Sequence, residues 1–301
     1  MTAGTTDIVQ TFLLDDGSVR GRLVRLGPAL DSILAGHDYP TSVAKVLAES
    51  LALGAALAGA LKFDGVFTLQ IQSDGPLSLV VADVTSKGAM RGYARYDAER
   101  LADDTAVLGQ GYLALTIDQG PDTDRYQGIV ELDETGIEET AVHYFEQSEQ
   151  LATGFMLAAR APSNENGANG QGWQAAALMV QRMPEDPADG IASTDEADED
   201  FNRAAILMET VKETELFDLN LPSQGLLYRL FHAEGLILHE PQPLRAQCRC
   251  SQERVASTLI SFPRDEIETL RDEAGDVVVT CEFCRTSYVF SGGDLDRLYA
   301  P

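Results

Sequence analysis

Cys248-Arg249-Cys250 and Cys281-Glu282-Phe283-Cys284 hold all 4 cysteines of this 301-residue chain, with thirty residues between the pairs and none upstream. Two tight pairs separated by a domain-sized gap offer four soft donors that can converge on one ion, the tetrahedral arrangement that Zn²⁺ takes in a closed structural site. The thiolate is also the nucleophile of disulfide exchange, and each internal spacing lets the partners reach one another once no metal holds them apart. The pattern therefore has two readings, a staple for a small domain and a redox switch. Cys-x-Cys is the less usual half-site. Arg245, Arg249, Arg254 and Arg285 place positive charge near the sulfurs, which favours the ionised, oxidisable form. Spacing alone leaves three disulfide pairings open.

Working outward, Ser251 is placed to cap a helix running to about Ser261, and Pro263 suits the first turn of another ending near Gly275. Asp276 to Thr280 reads as a strand entering the second cysteine pair, and Tyr288, Val289 and Phe290 continue beyond it. Fewer than sixty residues with so few apolar side chains bury too little surface to fold alone. The module is expected to melt when its metal is lost.

Upstream, residues 184–200 carry two prolines and eight acidic residues and read as an exposed or mobile linker. Phe201 to Phe217 is helix-like, with Phe201, Ala204, Ala205, Met208 and Val211 on one face. A shorter helix enters through Leu221-Pro222-Ser223, carries Leu226, Leu227, Leu230 and Phe231, and ends at Gly235; Pro241 and Pro243 then break the pattern.

The first 184 residues read differently. Asp7 to Leu14 and Ser18 to Leu26 form a hairpin about Asp15-Asp16-Gly17. A buried helix spans about Thr41 to Leu61, with hydroxyls at Thr41 and Ser42 to cap it. An alternating meander follows through Phe67 to Tyr96, with further strands near Tyr112 to Ile117 and Gln127 to Leu132. A helix from Glu138 to Gln150, a strand from Leu151 to Ala161, an Asn-Gly-rich loop from Ser163 to Gly172 and a last segment from Trp173 to Met183 complete it. The expected fold class is α+β: a mostly antiparallel sheet domain packed with helices over 1–184, an acidic and helical linker over 185–244, and a small zinc-binding domain over 245–301.

Composition narrows function. A net charge of −26, from 48 acidic against 22 basic residues, repels nucleic-acid backbone and anionic lipid. The start of the chain lacks a secretory pattern, and the apolar stretch from Val43 to Leu61 is interrupted by Lys45 and Glu49, which leaves too short a run to span a bilayer. A cytoplasmic protein without nucleic-acid or membrane partners is expected, and in a reducing compartment cysteines serve as metal ligands or redox sensors more than as permanent disulfides. No Gly-x-Ser-x-Gly motif and no phosphate-cradling Gly-rich loop with a Lys is present, which points away from hydrolases and nucleotide binding. A thioredoxin-like role for Cys281 and Cys284 is disfavoured, because Arg285 to Phe290 continues as strand and not as helix. His37, His143 and His232 read as core or surface residues, and His239 as a remote alternative zinc ligand.

The run from Cys248 to Arg254 and the run from Cys281 to Tyr288 strongly resemble the zinc-binding end of the redox-regulated heat-shock chaperones of about 33 kDa. The resemblance continues through Arg20-Gly21, His37-Asp38-Tyr39-Pro40, Leu61-Lys62-Phe63, Leu69 to Leu77, Arg91 to Ala94, Tyr144 to Gln150, Leu230 to His232 and Glu240 to Pro243. It departs at Ala175-Ala176-Ala177, where that family commonly has a Gly-Gly pair, and in the acidic stretch Asp195 to Asp200. The resemblance implies a non-enzymatic, ATP-independent holdase, inactive when reduced and holding one Zn²⁺ on Cys248, Cys250, Cys281 and Cys284. On oxidation it implies Cys248–Cys250 and Cys281–Cys284 disulfides, zinc release, linker unfolding, capture of unfolding client proteins and a homodimer, with the client and dimer surfaces on the N-terminal domain. The alternative is a constitutive zinc-stapled interaction module without a switch.

Overall fold

In the computed structural model, which describes residues 6–14, 17–60, 63–101, 106–120, 123–133, 136–162, 172–184 and 194–300, the alternation of the N-terminal sequence becomes two six-stranded sheets with one helix between them. β1 (Ile8–Leu14) and β2 (Val19–Leu26) pair antiparallel, with Gly17 at φ 102° in the turn; Asp15 and Asp16 lie outside the described residues. After α1 (Pro28–Leu34) and α2 (Thr41–Ala58) comes the meander β3 (Val66–Ser73), β4 (Leu77–Thr85), β5 (Ala89–Tyr96), β6 (Gly111–Asp118) and β7 (Tyr126–Glu131). α3 (Ile137–Tyr144) runs into a π-helical turn over Phe145–Glu149. β8 (Thr153–Arg160) and β9 (Gln174–Arg182) then return to the first sheet. The sheet orders are β10-β1-β2-β9-β8, with β11 also on β1, and β12-β5-β4-β3-β6-β7.

α2 fills the space between the sheets because it is apolar almost all round; Leu47, Leu51, Leu53 and Leu57 are buried among side chains of both sheets. It is the one described helix long and apolar enough to cross a membrane, and most of it is buried inside the fold. Its N-terminus follows Pro40 without any side-chain cap, so the hydroxyls of Thr41 and Ser42 do not play the expected part, and the described helix stops at Ala58. β9 is buried on both faces, as an apolar run covered from two sides must be. Ala175, Ala177 and Met179 face the α2 side, whereas Ala176, Leu178 and Val180 face a second core. The Ala175–Ala177 run is thus regular strand, in register with Leu26 to Val24.

That second core is closed by α4 (Thr194–Glu209), α5 (Glu213–Leu216) and α6 (Ser223–Phe231), which bury Ala204, Met208, Leu216, Leu226, Leu227 and Phe231 against Phe12, Leu14, Leu23 and Leu178. Two expectations are corrected here. Of the expected linker, residues 185–193 lie outside the described residues, and Asp195 to Asp200 is largely exposed helix and not a mobile segment, because its charges find partners: Asp198 meets Arg182 at 2.6 Å, and Asp200 accepts from Ser18 Oγ at 2.7 Å. The helix expected over Phe201 to Phe217 is interrupted after Glu209, and Ile206 remains exposed on its outer face.

Pro241 and Pro243 do not simply break the chain. Residues 237–246 form a strap, made of β10 (Ile237–Leu238), β11 (Gln242–Pro243) and β12 (Arg245–Ala246). β10 and β11 pair antiparallel with β1, and β12 pairs parallel with β5. By packing, the chain divides into residues 1–246 and 247–301, so residues 194–246 belong with the first unit. The second unit holds α7 (Gln252–Ile260), α8 (Arg264–Glu268), the hairpin β13 (Val277–Thr280) with β14 (Ser287–Phe290), and α9 (Gly292–Leu298). Ser251 accepts from the Arg254 N–H as expected of an N-cap, whereas α8 ends well before Gly275. Among the described residues of this unit, Leu259, Ile267, Val277, Phe290 and Leu295 are the buried apolar ones, a small core for a unit of its length.

Candidate metal and thiol centre

The hairpin β13–β14 sets the second cysteine pair. Cys281 N–H donates to the Thr286 carbonyl (2.9 Å) and Arg285 N–H to the Cys281 carbonyl (2.8 Å), with Arg285 at φ 57°. This tight turn points the main-chain N–H groups of Phe283 and Cys284 at the Cys281 sulfur, where they favour its ionised form against the dominant effect of burial, which pushes it up. Cys248 and Cys250 come from the extended segment ahead of α7. All four Sγ atoms lie within 4.8 Å of one another, the one such group of metal-capable side chains among the described residues.

The distances test the fit to an ion. Sulfurs about 2.3 Å from a tetrahedral zinc are separated by about 3.8 Å. Cys248 Sγ and Cys281 Sγ are 3.8 Å apart, and Cys250 Sγ and Cys284 Sγ 3.4 Å. These are well beyond a disulfide bond of about 2.05 Å, and none of the four cysteines is joined in a disulfide. The donor set could hold a metal ion and suits zinc. His239 is not part of it; its main chain is tied to β1 through Thr11 and Gln10 in the first unit.

Two residues beside the cysteines were not singled out in the sequence. Tyr288 Oη donates to Cys250 Sγ at 3.0 Å, and Thr286 Oγ1 lies 3.3 Å from Cys284 Sγ. No sequence spacing marks them: Thr286 follows left-handed Arg285 out of the tight turn, and Tyr288 lies on β14. Burial pushes Cys250 up to about 12, reinforced by the neighbouring sulfurs and opposed by Tyr288. Burial also opposes ionisation of Cys284, yet hydrogen bonds from Thr286 and the neighbouring thiols outweigh it and bring Cys284 down to about 6. The arginines expected to do this have other partners: Arg285 pairs with Glu282, Arg245 donates to the Lys87 carbonyl, and Arg254 to the Arg249 carbonyl.

Two of the other sequence motifs meet in the first unit. The Tyr39 hydroxyl accepts the Ala94 N–H at 2.9 Å, which joins the segment before α2 to β5. Gly21 lies under the Phe12 ring, where a Cβ would stand 2.0 Å from Cζ, and Phe12 stacks on Phe231 with centroids 5.3 Å apart.

A β-sandwich around a buried helix, followed by a small unit that gathers four thiols, defines a two-unit α+β protein with a tetrathiol centre. The model of the Hsp33 protein family matches residues 7–291. The 33 kDa chaperonin of Caulobacter vibrioides is 38% identical over 291 residues, covering 94% of each chain. That of Ectopseudomonas mendocina is 40% identical over 298 residues, covering 98% of this chain and 95% of its own. The crystal structure of the 33 kDa chaperonin (heat shock protein 33 homolog) from Thermotoga maritima superposes with a TM-score of 0.80 over 98% of both chains at 23% identity, a likeness of fold. The chain belongs to the Hsp33 protein family.

Proposed function

We propose that this protein is a molecular chaperone, an ATP-independent holdase without enzymatic activity, switched by the oxidation state of Cys248, Cys250, Cys281 and Cys284. The observation that carries the reading is the convergence of four cysteine sulfurs within 4.8 Å in a unit whose described residues include five buried apolar ones. A bound Zn²⁺ would be held by these four sulfurs and would contribute its binding energy to the folding of residues 247–301.

In the reduced state Thr286, Tyr288 and the N–H groups of Phe283 and Cys284 orient the sulfurs. A peroxide takes two electrons from each cysteine pair. One S–S bond forms per pair, two protons leave the thiols, and the peroxide O–O bond breaks to give two waters. Sulfurs joined in Cys248–Cys250 and Cys281–Cys284 disulfides are no longer four thiolate donors, so the unit loses what holds it folded. The shortest contacts in the reduced cluster cross between the pairs, so oxidation within pairs requires the side chains to turn.

Loss of order in the second unit passes along the chain to the strap and to α4 through α6. Their release uncovers Phe12, Leu14, Leu23 and Leu178, a large apolar surface of the kind that binds unfolded chains. The oxidised form is proposed to dimerise and to act in the cytoplasm, without nucleotide, nucleic acid or membrane partners.

The test is to replace Cys281 by Ser and to map disulfides in the oxidised wild type. The variant is expected to bind zinc more weakly and to show faster proteolysis within residues 194–246. Full zinc affinity with unchanged protease resistance would overturn the switch.

A further inference from the structure

The outer edge of β1 is not free: the strap over residues 237–246 lies on it. Phe12 stands opposite Leu238, Leu13 opposite Ile237, Val9 opposite Gln242 and Ile8 opposite Pro243. The His239 N–H donates to the Thr11 carbonyl and the Leu244 N–H to the Asp7 carbonyl, after which the chain crosses to β5, where the Arg245 N–H donates to the Gly88 carbonyl. Leu238 packs on the second core and Leu244 is buried in the first, so the strap presses side chains into both faces of the sheet it extends. A Cβ on Gly88 would stand 2.2 Å from the Pro243 carbonyl oxygen. Behind Pro243 and Leu244 lies a cavity of about 310 Å³ lined by Val9, Ala55, Gly59 and Phe63.

The strap is a poor strand. Its pairings are two residues long, whereas β1 pairs with β2 over seven positions from Ile8 to Leu14. Pro241 and Pro243 have no N–H to donate, and Gln10 Nε2 reaches past the edge to the His239 carbonyl, which β10 leaves for a side chain. An ordinary extended segment would make more main-chain bonds along the same edge. It would also place alternate apolar side chains where Leu238 and Leu244 now sit, the usual division of labour in strand addition.

We infer that the outer edge of β1, continued onto the first residues of β5, is a docking site for an extended segment of an unfolded polypeptide, and that the strap occupies it as an internal stand-in until it is released. The inference rests on the holdase reading and adds to it a location and a mode of capture, backbone pairing beside apolar pockets. Ala94 further along β5 is already satisfied by Tyr39, so the site is confined to the end that the strap covers. The strap ends two residues before Cys248, so unfolding of the cysteine unit frees its C-terminal attachment directly.

The test is hydrogen exchange of the full-length protein, followed on peptides covering residues 8–14, 88–92 and 237–246, with light scattering from a heat-unfolded client recorded in parallel. In the reduced, zinc-loaded protein all three segments are expected to exchange slowly. After oxidation all three are expected to exchange at least about tenfold faster. On addition of client the segments 8–14 and 88–92 regain protection and 237–246 does not. Edges that stay fast while scattering is suppressed would place the client elsewhere and overturn this inference without touching the holdase reading. Protection that returns with protein concentration alone would assign the edge to a second copy of the chain and overturn it too. If neither redox state suppresses scattering, the holdase reading falls and takes the inference with it. Leu244→Asp supplies an independent arm: reduced and zinc-loaded, it is expected to show fast exchange in the strap and to capture client without oxidant. A loosened strap with no capture would contradict the docking site.

Discussion

The hydroxyl of Tyr288 sits 3.0 Å from Cys250 Sγ and belongs to the second layer of the centre. Groups that orient a metal's ligands cost about 10- to 100-fold in metal affinity when lost. Tyr288→Phe, which keeps the ring in its core, is therefore expected to weaken zinc binding about tenfold in a competition assay with a chelating dye, with the fold unchanged by circular dichroism. The four cysteines were legible in the sequence because cysteine is scarce here and its spacing specific. Tyr288 and Thr286 were not, because threonine and tyrosine are ordinary strand residues and only the hairpin register turns them toward sulfur. Glu49 was equally invisible. Burial in α2 raises it from 4.5 to about 7, with Lys45 at 4.0 Å working against the rise and Glu138 and Glu213 adding to it. A carboxyl raised on folding costs nothing while protonated in both states, below about 4.5. Its cost grows as pH rises and is complete above about 7, on the order of 3 kcal/mol for such a shift. Denaturant unfolding of Glu49→Gln should show less loss of stability between those pH values than the wild type. An identical pH profile would refute the assignment.

At the scale of elements, long periodic segments were readable and short ones were not. β1 to β8 and α2 follow from alternation or apolar periodicity sustained over six residues or more, whereas β9, apolar on both faces, reads only as a core segment. The strap was missed because its two-residue strands have no periodicity and form only where an edge awaits them. α9 was missed because Gly292 and Gly293 argue against a helix, although Ser291 and Asp294 make a reciprocal capping box. The acidic run before Phe201 looked mobile because charge was counted without knowing that Arg182 and Ser18 stand opposite it. Close packing between elements gives a further prediction. Gly21→Ala drives a methyl group into the Phe12 ring and disturbs its stacking on Phe231, so a loss of about 1–3 kcal/mol is expected in thermal unfolding, with zinc affinity intact. Wild-type stability in this variant would mean that Phe12 can move aside freely.

At the scale of the whole molecule, residues 194–246 cover an apolar face of the sandwich unit, and a small unit that gathers four cysteines follows in the chain. On the proposed reading, a net charge of −26 would keep the oxidised molecule in solution while apolar surface is exposed. The division of labour is one of stability. The first unit has two extensive cores, whereas the second has little core, and on the proposed reading its thiols supply what that core lacks. The measurement that tests this most directly is light scattering from a heat-unfolded client with this chain added either reduced and zinc-loaded or after peroxide at mild heat, while released zinc is followed with a chelating dye. The account predicts that only the oxidised protein suppresses scattering and that zinc release accompanies the change. Zinc that stays bound, or equal suppression by both forms, would make the four cysteines a structural staple and contradict the switch.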